Sequence, residues 1–206
     1  MSIDHIEADD AIAYLSKQTF KNSDSVTIMS ADKDFLQLSS DVIKVWSPTK
    51  KRIFGCKEIV DEYGISCRNF ILYRTLDGDV SDNVPGLKGV GLKTLIKAFP
   101  FLVEEKEYSL QELYNYSENN KGKLKIYDNV LDNKLLLERN YQLMQLKETE
   151  IQSFTQLRIE EIINKSTPRI DKIGFWRLIS EDKIIGAFSQ VWLHSSFGKL
   201  NSFIIQ

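Results

Sequence analysis

The stretch LDGDVSDNVPGLKGVGLKTLIKAF, residues 76–99, holds the two residue types on which the predicted fold and function of this chain depend. Its first half carries Asp79 and Asp82, three residues apart, and its second half carries Lys88 among glycines at positions 86, 89 and 91. Carboxylates are preferred ligands of hard divalent cations, and glycine-rich turns expose backbone N–H groups that bind phosphate. The stretch therefore predicts a metal-binding segment followed directly by a phosphate-binding one.

The residues after the glycine turn repeat their apolar positions at helical spacing, at Leu92, Leu95, Ile96 and Phe99. A helix is therefore predicted to begin where the turn ends, and a helix N-terminus attracts anions. An ordinary glycine turn between two helices, with lysines on a solvated face, is the alternative that this segment leaves open. The candidate phosphate-binding residues are Gly86, Lys88, Gly89, Val90, Gly91, Lys93 and Thr94.

Two further acidic groups precede this stretch. Glu7, Asp9 and Asp10 crowd the start of a predicted amphipathic helix, where complementation of the helix dipole accounts for one or two acids but not for three. Asp32 and Asp34 follow a short apolar run that predicts a buried strand, and residues two apart in extended chain face the same way. Capping of the next helix accounts for one of these aspartates, which leaves the other as a candidate ligand.

The three acidic groups lie on separate predicted elements and contain neither His nor Cys. Such oxygen donors suit Mg²⁺ or Mn²⁺, and their number exceeds what one small ion accepts, so two ions are expected. A pair of ions activates water and stabilises the oxygens of an in-line phosphoryl displacement, which predicts phosphodiester hydrolysis. The candidate catalytic and metal-binding residues are Glu7, Asp9, Asp10, Asp32, Asp34, Asp79 and Asp82.

Composition excludes several classes of protein. The chain has 206 residues, of which 42% are hydrophobic, and no apolar run approaches the ~20 residues that cross a bilayer. Its acidic N-terminal residues are unlike a secretory signal. The formal charge of −2 becomes +5 when the seven candidate ligands are set aside, so a phosphate-rich partner is compatible with it. Cys56 and Cys67 suggest no disulfide framework, which predicts a reducing, cytoplasmic location.

The order of elements predicts an α/β fold with helix-rich C-terminal parts. A strand is expected at residues 25–30 and a hairpin at residues 42–54, and residues 123–146 are expected to form one long helix. The aromatic residues between positions 170 and 203 predict a packed core rather than a base-stacking surface. Three regions are expected: residues 1–75 (catalytic α/β core), 76–146 (phosphate-binding region and following helices) and 147–206 (role unknown).

Three motifs resemble those of the 5′ nucleases, the family of flap endonucleases and 5′-3′ exonucleases. They are EADD at 7–10, SADKDF at 30–35 and GDVSDNVPGLKGVGLKT at 78–94, and WSPTKK at 46–51 resembles the ribonuclease H branch of T-even bacteriophages. The resemblance implies a PIN-like core, here the C-terminal portion of a mainly parallel sheet, and two divalent ions held by the seven acids. It also implies that the glycine–lysine segment is a helix-three-turn-helix that grips duplex phosphates and can bind K⁺ through backbone carbonyls.

One departure from the family pattern affects the predicted activity. Family members carry a sheet strand with a metal-binding Asp and a basic arch before the EADD motif, which begins here at Glu7. A separately encoded N-terminal polypeptide is therefore an expected partner, beside duplex DNA or an RNA/DNA hybrid with a 5′ end or flap. A replication clamp or a single-strand-binding protein would also fit the family. The alternative hypothesis is a noncatalytic duplex-binding module that retains the helix-three-turn-helix.

Overall fold

The structure of the chain is a computed structural model that describes residues 6–148, 151–165, 171–184, 186 and 188–202. It divides into two compact units, Ser2–Gln156 and Leu157–Gln206. No helix among the described residues is long and apolar enough to cross a membrane.

The first unit contains a small mixed sheet. After α1 (Ala8–Tyr14) and a π-helical turn, β1 (Val26–Met29) pairs in parallel with β2 (Ile43–Ser47), with Val26 opposite Ile43. An antiparallel hairpin then joins β2 to β3 (Arg52–Phe54). The sheet order β1-β2-β3 places β1 at one edge, and the predicted strand, hairpin and α/β class are confirmed.

Helices and one short hairpin complete this unit. The 3₁₀ helix Lys33–Leu38 follows β1, and two more 3₁₀ helices lie at Cys67–Asn69 and Pro100–Val103. The remaining elements are α2 (Cys56–Tyr63), α3 (Phe70–Asp77), β4 (Gly78–Asp79), β5 (Val84–Pro85), α4 (Leu92–Ala98), α5 (Leu110–Asn119), α6 (Lys125–Asp132) and α7 (Lys134–Met144).

The prediction of one long helix over residues 123–146 is wrong, because the helix is interrupted at Asn133, between α6 and α7. The backbone of Asn133 leaves the helical region, with φ −114° and ψ 26°. Its side-chain Nδ2 donates hydrogen bonds to the carbonyl and to the side-chain oxygen of Asn129, at 2.7 and 2.8 Å. Asparagine competes with helical hydrogen bonding in this way, so the apolar periodicity continues across the break while the helix does not.

One apolar core joins the sheet to the helices, and its fully buried members include Ile59, Phe70, Leu95 and Leu137. Cys56 and Cys67 lie against it and form a disulfide, with Cα atoms 5.2 Å apart. The expectation that these cysteines form no framework is therefore wrong. They are 11 residues apart in sequence, but the chain turns back after α2 and brings them together.

Two buried amides tie distant segments of this unit together. Gln37 donates to the carbonyl of Met144 and accepts from the N–H of Leu146, both at 2.9 Å. Asn140 on α7 donates to the carbonyls of Thr75 and Pro85, at 3.2 and 2.8 Å. The segment after β1 and the β4–β5 hairpin, which carry four of the predicted acidic ligands, are thereby fixed to the end of α7 and to its middle.

The second unit is helical. The division between the units falls within α8 (Ser153–Asn164), and α9 (Lys172–Glu181) and α10 (Gln190–Ser202) follow. Buried Ile179, Leu193 and Phe197 form its core, against which Phe175, Trp176 and Phe188 pack. The predicted packing role of the C-terminal aromatic residues is confirmed for these side chains.

Candidate functional site

Two of the predicted acidic groups meet at a residue outside the motifs, Arg74. Its guanidinium Nε donates to Asp34 at 2.5 Å, and its Nη2 donates to Asp79, also at 2.5 Å. The Arg74 side chain is 3% exposed, and the two carboxylate side chains are 14% and 19% exposed. A mostly buried ionic triad therefore joins the segment after β1 to the β4–β5 hairpin.

The placement of Arg74 follows from its helix and from the hairpin that follows it. All residues of α3 from Phe70 to Leu76 are buried, so the helix packs on all sides. Arg74 therefore faces the acids rather than solvent. A further guanidinium nitrogen donates to the carbonyl of Gly78 at 3.2 Å. Gly86 allows the hairpin to lie this close to α3, because a Cβ there would be 1.9 Å from the carbonyl oxygen of Asp77.

The neighbouring acids, Asp32 and Asp82, are held differently. Both are exposed, and in the described part of the chain neither takes part in an ion pair. One oxygen of Asp32 accepts from the N–H of Asp34 at 2.8 Å, so Asp32 caps the 3₁₀ helix, as the capping alternative allowed for one of the two aspartates. The two motifs thus each contain one aspartate bound by Arg74 and one directed to solvent.

The triad shifts the pKa values of its two acids in opposite directions. Burial raises the pKa of Asp34 above its ordinary value, although the hydrogen bond from Arg74 acts against the shift. Hydrogen bonding from Ser81, followed by that from Arg74, lowers the pKa of Asp79 from 3.8 to about 2. Asp79 is therefore ionised throughout the neutral range, and it shares the positive charge of Arg74 with Asp34.

The first acidic group lies at the start of α1 and lines a cavity of about 780 Å³ with Glu107, Lys147 and Glu148. Burial, then the charges of Asp9 and Glu7, raises the pKa of Asp10. The mutual repulsion predicted for these three acids is therefore present. Among the ion pairs of the described residues, none involves them.

The predicted phosphate-binding residues line a separate groove of about 870 Å³ between the glycine turn, α4 and α6. Lys88, Gly89, Val90, Lys93 and Thr94 line it, whereas Gly86 packs under the hairpin and Gly91 lies outside the lining. Gly89 has φ +73°, a left-handed conformation that glycine adopts without strain. The groove therefore unites five of the seven predicted residues, as the loop–helix prediction requires.

Sequence reasoning missed the contribution of α6 to this groove. Lys125 on α6 lines it together with Lys97 on α4, and the side chain of Asn129 on α6 donates to the carbonyl of Lys88 at 3.4 Å. Lys88, Lys93, Lys97 and Lys125 are exposed and make no ion pair within the described ranges, while Asp128 and Asp132 on α6 limit the positive charge on that side. The groove accordingly has a cationic wall along the turn and α4 and a mixed wall along α6.

The donor set fits divalent cations in its chemistry, because every candidate ligand is a carboxylate and several of them face solvent. In the described part of the chain, however, no three His, Cys, Asp or Glu side chains are grouped to hold one ion. The structure joins Asp34 to Asp79 through Arg74, whereas Glu7, Asp9 and Asp10 line one cavity without being placed to hold a single ion. The single site of seven carboxylates stays a prediction.

Comparison with known sequences links the chain to nucleases. A family profile described as "5′-3′ exonuclease, N-terminal resolvase-like domain" matches residues 1–64. A 5′-3′ exonuclease of Buchnera aphidicola is 36% identical over 122 residues, which cover 59% of this chain and 41% of the relative. A 5′-3′ exonuclease of Aquifex aeolicus is 41% identical over 90 residues, covering 44% and 31%. The chain thus spans less than half the length of these curated relatives.

Comparison with solved structures gives the same fold. A T5 5′-exonuclease mutant has a TM-score of 0.67 and 23% identity, covering 79% of this chain and 67% of the other. A T5 5′-exonuclease with bound divalent metal ions (zinc) has a TM-score of 0.66, with coverage of 79% and 61%. A bacteriophage T5 flap endonuclease in complex with DNA and metal ions has a TM-score of 0.65 and covers 80% and 62%. The mixed α/β architecture is therefore the PIN-like fold that the motifs predicted.

Proposed function

We propose, from the premise that this chain belongs to the 5′ nuclease family, that it takes part in metal-dependent hydrolysis of phosphodiesters in duplexes with a 5′ end or flap. One observation carries the proposal. The β4–β5 hairpin holds Asp79 at the ionic triad and leads within a few residues into the lysine groove. The Leu87 N–H, which donates to the carbonyl of Leu76 at 2.8 Å, fixes that connection.

The candidate metal ligands in this proposal are the two exposed aspartates beside the triad, the two aspartates within it, and the acids of α1. They are Asp32, Asp82, Asp34, Asp79, Glu7, Asp9 and Asp10. The chemistry that two bound Mg²⁺ or Mn²⁺ ions would supply is activation of water and stabilisation of charge on the phosphate oxygens. Two solved structures of similar fold contain bound metal ions, divalent zinc in one of them, and this supports the use of divalent ions by the fold.

A further polypeptide segment is part of the proposal. β1 lies at the edge of the sheet, and no described strand pairs with its outer side. An open parallel edge is suited to accept another strand. We propose that a separately encoded N-terminal polypeptide adds a strand there and supplies further carboxylates near Asp32 and Asp34, which directly follow β1.

The remaining features of the proposal concern surroundings and partners. The proposed substrates are duplex DNA or an RNA/DNA hybrid. The chain would act on them as a 5′-3′ exonuclease, as a flap endonuclease or in primer removal of the ribonuclease H type. Backbone carbonyl oxygens, such as those of the glycine turn, commonly coordinate K⁺, so K⁺ is a proposed ligand there. A cytoplasmic location is proposed from such substrates alone, because the Cys56–Cys67 disulfide removes the argument from reduced cysteines. A replication clamp or single-strand-binding protein is a proposed partner for residues 147–206.

A noncatalytic duplex-binding module is the second candidate function. The observation that favours it is that Arg74 already pairs with both Asp34 and Asp79, whereas the groove lysines are available to phosphates. This candidate predicts salt-sensitive duplex binding that survives Asp32→Ala or Asp82→Ala and weakens with Lys88→Ala.

One experiment separates the two candidates. A labelled 5′-flap duplex is incubated in Mg²⁺ with the chain alone and with the chain plus the N-terminal segment of a relative that precedes its EADD-type motif. The nuclease proposal expects cleavage that EDTA abolishes and that Asp82→Ala removes without loss of duplex binding. Intact substrate in both incubations, together with tight duplex binding, would reject the nuclease in favour of the binding module.

A further inference from the structure

The charge of Arg74 is costly where it lies, because it is nearly inaccessible to solvent and sits in a helix whose other residues from Phe70 to Leu76 are buried. Isolated buried charges are strongly disfavoured, and even a paired triad contributes little net stability compared with apolar residues of the same volume. The attachment of the hairpin to the helices does not require this charge. Asn140 already binds both α3 and β5 through neutral hydrogen bonds.

The geometry of the guanidinium indicates what it adds. Arginine presents its N–H groups in a planar fork of fixed shape, so two carboxylates bound to different arms are held at a fixed separation and orientation. Here the arms reach Asp34, 40 residues away in sequence, and Asp79, five residues away. Asp79 is further held by Ser81, whose N–H donates to it at 2.8 Å. The two acids are therefore oriented relative to one another before any cation binds.

We propose that Arg74 is a positioning residue for divalent-cation binding, an inference that rests on the proposed function. It fixes Asp34 and Asp79 as a preformed pair, and their exposed neighbours in sequence, Asp82 and Asp32, supply further carboxylate oxygens. In Asp32 this is the oxygen that does not cap the 3₁₀ helix. Groups that orient metal ligands in this way typically change metal affinity by ~10–100-fold when they are replaced. Lysine keeps the charge of arginine but lacks the fork, so it cannot orient both carboxylates.

The test compares Mn²⁺ binding to the wild-type chain, Arg74→Lys and Arg74→Gln, followed by electron paramagnetic resonance of free Mn²⁺. Binding of a 5′-flap duplex in EDTA is measured beside it. The inference expects Mn²⁺ affinity to fall by ~10-fold or more in both variants. Duplex affinity in EDTA should stay at the wild-type value, which a general loss of structure would not allow. Arg52→Gln is the matched control, because Arg52 is an exposed arginine paired with Glu62.

The outcomes separate this inference from the function on which it rests. Absence of Mn²⁺ binding by the wild-type chain overturns the inference, because the inference concerns acids that this chain holds by itself. The proposed function is then tested separately, by cleavage in the presence of the N-terminal segment. Wild-type binding with equal or tighter binding by the Arg74 variants overturns the inference alone. If neither variant folds, the wild-type chain labelled with ¹⁵N-arginine decides: the Arg74 Nε–H resonance should shift as Mg²⁺ is added, and an unchanged resonance at saturating Mg²⁺ overturns the positioning role.

Discussion

The salt dependence of duplex binding measures how many groove lysines contact phosphates. Lys88 and Lys93 line the groove on the turn and on α4, both exposed and without an ion-pair partner among the described residues. A lysine without an ion-pair partner can bind a phosphate without first breaking a salt bridge to a carboxylate. We therefore expect the double variant Lys88→Ala/Lys93→Ala to lose two full phosphate contacts.

The size of the effect follows from counterion release. Each neutralised duplex phosphate contributes a slope of ~0.9 to the dependence of log affinity on log salt, so the double variant should have a slope shallower by ~1.8. Between ~50 and ~200 mM salt this difference amounts to a ~12-fold change in the ratio of wild-type to variant affinity. The ratio is largest at low salt. Replacement of Lys125 alone should reduce the slope by ~0.9 if α6 also faces the phosphates.

Fluorescence anisotropy of a labelled 5′-flap duplex in EDTA, titrated at several salt concentrations, gives these slopes. The matched control is Lys50→Ala/Arg52→Ala, which removes the same charge from residues that are already paired with Glu62. An unchanged slope in the groove variant would refute phosphate binding by this surface. Equal changes in both variants would show that only the overall charge matters, which would also contradict the assignment of the groove.

Three further predictions concern stability and are checked by chemical denaturation. Gly86→Ala should lower the free energy of unfolding by ~1–3 kcal/mol or more, because its Cβ would overlap the Asp77 carbonyl, whereas Gly91→Ala, with open space around its Cβ, should be tolerated. Asn140→Ala should cost ~1–3 kcal/mol, since the buried Thr75 carbonyl and the partly buried hydrogen bond to Pro85 lose their donor. The pKa of Asp79 is lowered from 3.8 to about 2, so its carboxylate stabilises the fold above pH 3.8. That contribution should be lost as the pH falls from 3.8 to about 2, and Asp79→Asn should lack this pH dependence.

Local sequence signals predicted those elements that local physics determines. The apolar spacing after the glycine turn gave α4, and the alternation around a basic turn gave the β2–β3 hairpin. The same periodicity failed across Asn133, because the break depends on a side-chain hydrogen bond to Asn129 rather than on the apolar pattern. Periodicity reports which face of a segment is buried, and it is insensitive to one polar residue that redirects the backbone.

The candidate site was predictable in its residues but not in its pairing. A lone arginine within the apolar segment FILYRTLD, next to an acidic motif, is a recognisable signal that a buried charge has a nearby carboxylate partner. The identity of that partner was not readable, because Asp34 lies 40 residues away and meets Arg74 only through tertiary packing. The groove shows the same limit, since Lys125 joins it from a helix with no phosphate-binding motif.

Under the proposed function, the hairpin of β4 and β5 relates the position of cleavage to the position of duplex binding. Asp79 lies on one strand, and the chain leaving the other strand runs through Gly86 into Lys88 of the groove. Gly86 packs against the end of α3, and Asn140 binds the hairpin to α7, so neither end of this connection is free to move independently. The carboxylates and the phosphate-binding lysines are therefore held at a distance set by packed backbone, and a change in the hairpin should shift the cut site along the duplex rather than only slow the reaction.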